Sequence, residues 1–104
     1  GRPVPSLYER NEVKNTILKN TAHVQSCYIA LLERKPKQQE GSVKLDWQIS
    51  PQGKALAPAI VFSKFQDSVF EKCLTDKVGL WSFPPPPTKE PFYVAHLFRF
   101  SKTN

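Results

Sequence analysis

Cys27 and Cys73 are the residues of this chain best equipped for chemistry, and they are its only 2 cysteines in 104 residues. Joined, they would staple two helix-like segments together and assign the protein to an oxidising compartment. Free, they would be thiols, and the compartment reading would lapse. A thiolate nucleophile needs an activating base, and His23 and His96 are the only histidines. A Cys-His pair using His96 is formally available. However, both cysteines fall on apolar helix faces, where a thiol is inert or bridged. Neither histidine has a Cys, Asp or Glu at metal-ligand spacing, so no metal is expected; His23 reads as a surface helix residue and His96 as a packed or stacked strand residue. Phosphate-cradling patterns of the G-x-x-x-x-G-K-S/T or G-x-G-x-x-G type are missing, as is a G-x-S-x-G elbow. The expectation is a protein without catalysis, cofactor or small-molecule substrate.

The elements that must carry these residues are legible from periodicity. Ser6 and Glu9 form a capping box, which predicts a helix beginning near Leu7. Val13, Ile17, Val24, Tyr28 and Leu31 then mark one stripe of a helix ending near Arg34, before Pro36, with a bend allowed at Asn20-Thr21. Val43, Leu45, Trp47 and Ile49 alternate with polar residues and predict a half-buried strand. Pro51-Gln52-Gly53 predicts a tight turn, and Lys54 to Ser63 the returning arm of a hairpin. In that arm Ala55 and Ile60 cannot both face the core of a regular strand, and Pro58 has no N–H to donate. A bulge or an edge position is therefore expected. Asp67 is a suitable N-cap for a second helix carrying Phe70, Cys73, Leu74, Val78 and Trp81 on one face. Pro84 to Pro87 impose an extended connection, and Phe92 to Phe100 predicts a last strand. The order α-β-β-α-β predicts an α+β fold, a three-stranded antiparallel sheet with two helices packed on one face.

The length suits one core, and the domain is expected over 7–101, between a linker end at 1–6 and a tail at 102–104. Mean hydropathy is −0.44, and no apolar run approaches the roughly 20 residues of a membrane span. The opening Gly1-Arg2-Pro3-Val4-Pro5 reads as the end of an extended linker, so an anchor and a targeting segment are expected ahead of it. A net charge of +6 raises the alternative of a small basic nucleic-acid-binding domain. Against it, the cations are spread along every segment, and only Arg34-Lys35-Pro36-Lys37 forms a cluster.

Several spaced motifs, taken together, carry a family likeness. They are Cys27-Tyr28 followed by Leu31 and Leu32, Gly41-x-Val43-x-Leu45, Ile49-Ser50-x-x-Gly53 and Ser63, Asp67-x-x-x-Glu71-x-Cys73, Trp81-Ser82-Phe83-Pro84, and the closing Phe98-x-Phe100. Over residues 8 to 100 the chain resembles the AgmX/PglI C-terminal domain family, a branch of the TonB C-terminal-domain-like proteins. The resemblance implies a periplasmic, non-catalytic domain at the far end of an inner-membrane-anchored protein. It also implies a role in trans-envelope energy transduction or gliding motility. Its partners would be a segment of an outer-membrane or periplasmic protein and, through the part ahead of this chain, inner-membrane motor proteins. No nucleic acid would bind. Pro58 and the alanine-rich second strand depart from the family pattern, as does Leu97, which stands where the family has a proline.

TonB-like domains take partners by strand addition, so the resemblance implies that Tyr93, Val94, Ala95, His96, Leu97, Phe98 and Arg99 form the docking edge. The plainer reading is an edge guarded against aggregation by Arg99 and Lys102. As for the cysteines, both fall on core-facing sides of helices expected to lie side by side, so they can meet. A Cys27–Cys73 bridge is the expectation.

Overall fold

The computed structural model describes residues 5–37 and 40–101. Most of the expected linker end and the 102–104 tail, with Lys102, lie outside the described residues, as does the Ser6 side chain on which the capping box rests. The fold is α+β, a three-stranded antiparallel sheet backed by helices. Chain order is α1 (Pro5–Tyr8), a π-helical turn (Glu9–Val13), α2 (Lys14–Lys19), α3 (Thr21–Arg34), β1 (Gly41–Ile49), β2 (Ala55–Ser63), α4 (Ser68–Val78) and β3 (Phe92–Phe100). The sheet order is β2-β1-β3, which puts β1 in the middle.

The single N-terminal helix expected from the stripe is two helices, which makes three in the layer rather than two. Asn20 makes the break, at φ −107° and ψ 13°. Its side-chain amide donates to the Thr16 carbonyl, 2.8 Å, and its main-chain N–H to that of Ile17, 3.1 Å. Such local bonds offer the backbone an alternative to helical pairing. The helix also starts at Pro5, ahead of Leu7, and proline fits a first helical turn because its missing N–H is unneeded there. The π-helical turn has a packing consequence. At about 100° per residue, an α-helix would turn Val13 well away from Tyr8; the wider turn lets both residues be buried. Tyr8 packs edge-on against Phe92 and donates its hydroxyl to the Pro84 carbonyl, 2.7 Å. Burial, reinforced by Glu12, pushes that hydroxyl's pKa up to about 12.

The alternation in β1 is realised in full: Val43, Leu45, Trp47 and Ile49 are at most 1% exposed. They meet Val24, Tyr28 and Leu31 of α3 and Phe70, Leu74 and Val78 of α4 in one core. Trp47 sits among Trp81, Phe83 and Phe98. Among the described residues, the Tyr28 hydroxyl and Trp47 Nε1 are buried without a hydrogen-bond partner. Trp81 reaches this core from beyond α4 rather than from its last turn. The chain leaves the helix through turns closed by Leu80 N–H to Lys77 and Trp81 N–H to Val78.

β2 is both an edge and bulged. It pairs with β1 in two-residue runs only, Ala55 with Leu56, Ala59 with Ile60, and Phe62 with Ser63. Val61 is the extra residue in one interruption; the other holds Pro58 and Ala57 at φ 50°. That second bulge solves the parity problem, because the extra residue lets Ala55 and Ile60 both pack against the core.

The hairpin turn closes on Ser50, whose hydroxyl accepts from the Gln52 and Lys54 N–H groups. Gly53 has φ 94°, and its carbonyl accepts the Phe83 N–H, 2.7 Å. A Cβ there would run into the Phe83 carbonyl oxygen. Gly53→Ala is expected to cost roughly 1–3 kcal/mol, from left-handed backbone plus a collision with main chain. The midpoint of denaturant unfolding measures it, and an unchanged midpoint would contradict the turn geometry.

Candidate functional site

The sequence singled out two groups of residues, the cysteine pair between α3 and α4 and the last strand at the sheet edge, and they occupy separate places in the fold. Cys27 and Cys73 are joined in a disulfide with Cα atoms 5.8 Å apart, linking the middle of α3 to the middle of α4. No free cysteine is left. The bridge is one rung of a ladder between these antiparallel helices. At one end Arg34 and Lys35 reach Asp67, with N···O distances of 3.1 and 2.7 Å. At the other, Trp81 Nε1 donates to His23 Nδ1, 3.3 Å. The expected surface histidine thus orients a core tryptophan.

Asp67 does several jobs at once. It caps α4 by accepting the Phe70 N–H, 2.8 Å. The Arg34 guanidinium, then the Lys35 ammonium and that N–H, hold its carboxyl far below the usual carboxylate range despite burial. Arg34 and Lys35 thus pair with Asp67 while their side chains stay partly exposed, 39% and 52%.

β3 holds all the expected edge residues, Tyr93 to Arg99, and pairs with β1 without interruption from Phe92 to Phe100. Among the described residues no strand lies on its outer side. The direction of its main chain follows from β1. Ser42 accepts from the Lys64 N–H and Ser50 donates to the Lys54 carbonyl, so even-numbered residues of β1 point to β2 and odd-numbered ones to β3. The register pairs those odd residues with even ones of β3. Main-chain groups of Tyr93, Ala95, Leu97 and Arg99 consequently point outward, away from β1. Their side chains lie on the helix-free face, with Tyr93 57% and Leu97 40% exposed. Val94, His96 and Phe98 turn toward the helices, where His96 sits edge-on to Phe98, ring centroids 4.7 Å apart. Burial, with Lys14 nearby, lowers the His96 pKa.

Sequence reasoning missed the rest of that open face. Across the register lie the rows Phe62–Lys44–Leu97 and Leu56–Gln48–Tyr93. Between them Asp46 accepts the Tyr93 hydroxyl, 2.9 Å. The polar residues alternating in β1 were the signal for this face; its apolar flank in β2 was hidden by the bulges. Among the described residues, no group of three His, Cys, Asp or Glu is placed to hold a metal ion, and no helix is long and apolar enough to cross a membrane.

Comparison with family models, with curated proteins and with solved structures finds no match.

Two outcomes follow for the ladder. Replacing Cys27 and Cys73 together by serine is expected to cost roughly 3–4 kcal/mol in the chain-entropy model, read from denaturant unfolding. Thiol titration of folded protein from an oxidising compartment should find none, and two titratable thiols would remove the bridge. At Asp67 the folded pKa is depressed, so the stability it contributes is fully present above the ordinary carboxylate pKa of about 4 and is lost progressively as pH falls from there through the depressed folded value. Asp67→Asn should be less stable than the parent at pH 7, with the difference shrinking below about pH 4. A difference independent of pH would rule out the ion pairs as its source.

Proposed function

We propose that this chain is a non-catalytic protein–protein interaction domain, a TonB-like domain of the AgmX/PglI type. In this reading it works in the periplasm within a trans-envelope complex for energy transduction or gliding motility, as part of an inner-membrane-anchored protein. It binds an extended segment of an outer-membrane or periplasmic partner by adding that segment to the free side of β3. One observation carries the reading: the contrast between the two edges of the sheet. β3 offers nine residues in unbroken register, while β2 never holds register for more than two and includes Pro58. Strand addition uses main-chain hydrogen bonds for affinity, and these need donors and acceptors at regular two-residue spacing. β3 has that spacing at Tyr93, Ala95, Leu97 and Arg99; β2 does not.

The disulfide supports the compartment, since such bridges persist where the surroundings are oxidising. Against the rival nucleic-acid reading, two of the three cations in its cluster, Arg34 and Lys35, share an ion pair with Asp67.

Leu97→Pro tests the edge. Proline at this position removes an outward N–H without removing a bond to β1, so the fold is expected to survive. Immobilised domain should recover a partner from envelope extract, and the Leu97→Pro form, with unchanged thermal unfolding, should recover much less. Equal recovery by the two would discard strand addition at this edge.

A further inference from the structure

The connection from α4 to β3 carries the four prolines, Pro84 to Pro87. Phe83, Pro84, Pro85 and Pro86 each precede a proline and so avoid helical backbone, while the proline rings fix φ from Pro84 onward. Together these restraints impose polyproline II, which has three residues per turn, so positions three apart share a ridge. Burial follows that period. Phe83 and Pro86 are buried, whereas Pro84, Pro85 and Pro87 are exposed. One ridge is spent on the core, and proline rings on the other two face water.

The segment is also held in place. The Phe83 ring packs against Trp47 and Trp81, and its N–H donates to the Gly53 carbonyl. Tyr8 donates its hydroxyl to the Pro84 carbonyl. Among the described residues, no group donates to the carbonyls of Pro85, Pro86 or Pro87. Core packing accounts for Phe83 and Pro86. It does not call for proline at the exposed positions.

We infer that Pro84, Pro85 and Pro87 form a second docking surface, for a partner carrying a groove lined with Tyr and Trp rings. Such rings stack on proline rings, and their O–H and N–H groups donate to the carbonyls that the fold leaves open. Because the backbone is already ordered, little conformational entropy is lost on binding. Charge adds no preference, since Lys89 and Glu90 follow the run with opposite signs. None of these prolines belongs to β3, so the surface stands apart from strand addition.

Purified WW, SH3 and EVH1 domains, which read polyproline through aromatic grooves, serve as probes in calorimetric titrations of the oxidised protein. At least one should bind, and a free polyproline peptide should displace the protein from it. A Pro84→Ala/Pro85→Ala/Pro87→Ala variant, still folded by circular dichroism, should bind that probe at least about tenfold more weakly. Leu97→Pro should bind it as the parent does. Binding by none of the probes, binding that the peptide does not displace, or undiminished binding by the folded triple variant would overturn the surface. Loss of binding in Leu97→Pro would overturn its separation from β3. Should the triple variant unfold, displacement from the parent protein decides.

Discussion

Only one face of β1 is apolar, and most of the molecule follows from that constraint. β1 is the central strand, so its side chains decide which side of the whole sheet must be covered. Val43, Leu45, Trp47 and Ile49 draw every helix to one side, because burying them anywhere else would leave large apolar surface in water. Lys44, Asp46 and Gln48 keep the other side open. With the helices on one face, no described strand lies on the outer side of β2 or β3. Both flanking strands are therefore edges, and what distinguishes them is only their own regularity.

The helical cover is held in place by unlike chemistries. An ion-paired carboxylate joins one end of α3 to α4, a covalent bridge joins the middle, and an indole–imidazole hydrogen bond joins the far end. The charged end also fixes where α4 begins, since Asp67 is both cap and ion-pair partner. The tilt of α4 over the sheet is thus set at several points. Acid acts on the carboxylate and reductant on the covalent bridge, so neither of them alone releases the whole contact.

Sequence patterning reached the elements whose cause is local. The β1 alternation, the Gly53 turn, the Asp67 cap and the irregular second arm each depend on a few adjacent residues, and all are found. The pairing of Cys27 with Cys73 was legible because each lay on the apolar side of its own helix. The break at Asn20 was legible only as a weak spot, since what turns it into two helices is the competition of its amide for a backbone carbonyl. Long-range partnerships were out of reach. Nothing near Arg34 in the sequence points 33 residues ahead to Asp67, and nothing around Tyr8 points to Pro84. The open face was half legible for the same reason: its polar middle follows from β1 alone, whereas its apolar rim depends on how a bulged strand lands beside it.

The bulges in β2 limit the valence of this sheet. A small sheet with two regular edges can be extended from either side, and each added copy presents a fresh edge in turn, which is the geometry of a fibre. Here Ala57 and Pro58 spoil one side, so pairing that consumes β3 leaves no second regular edge among the described residues. The sheet has a stop at one end, and it is suited to closed complexes of fixed stoichiometry instead of open-ended stacks.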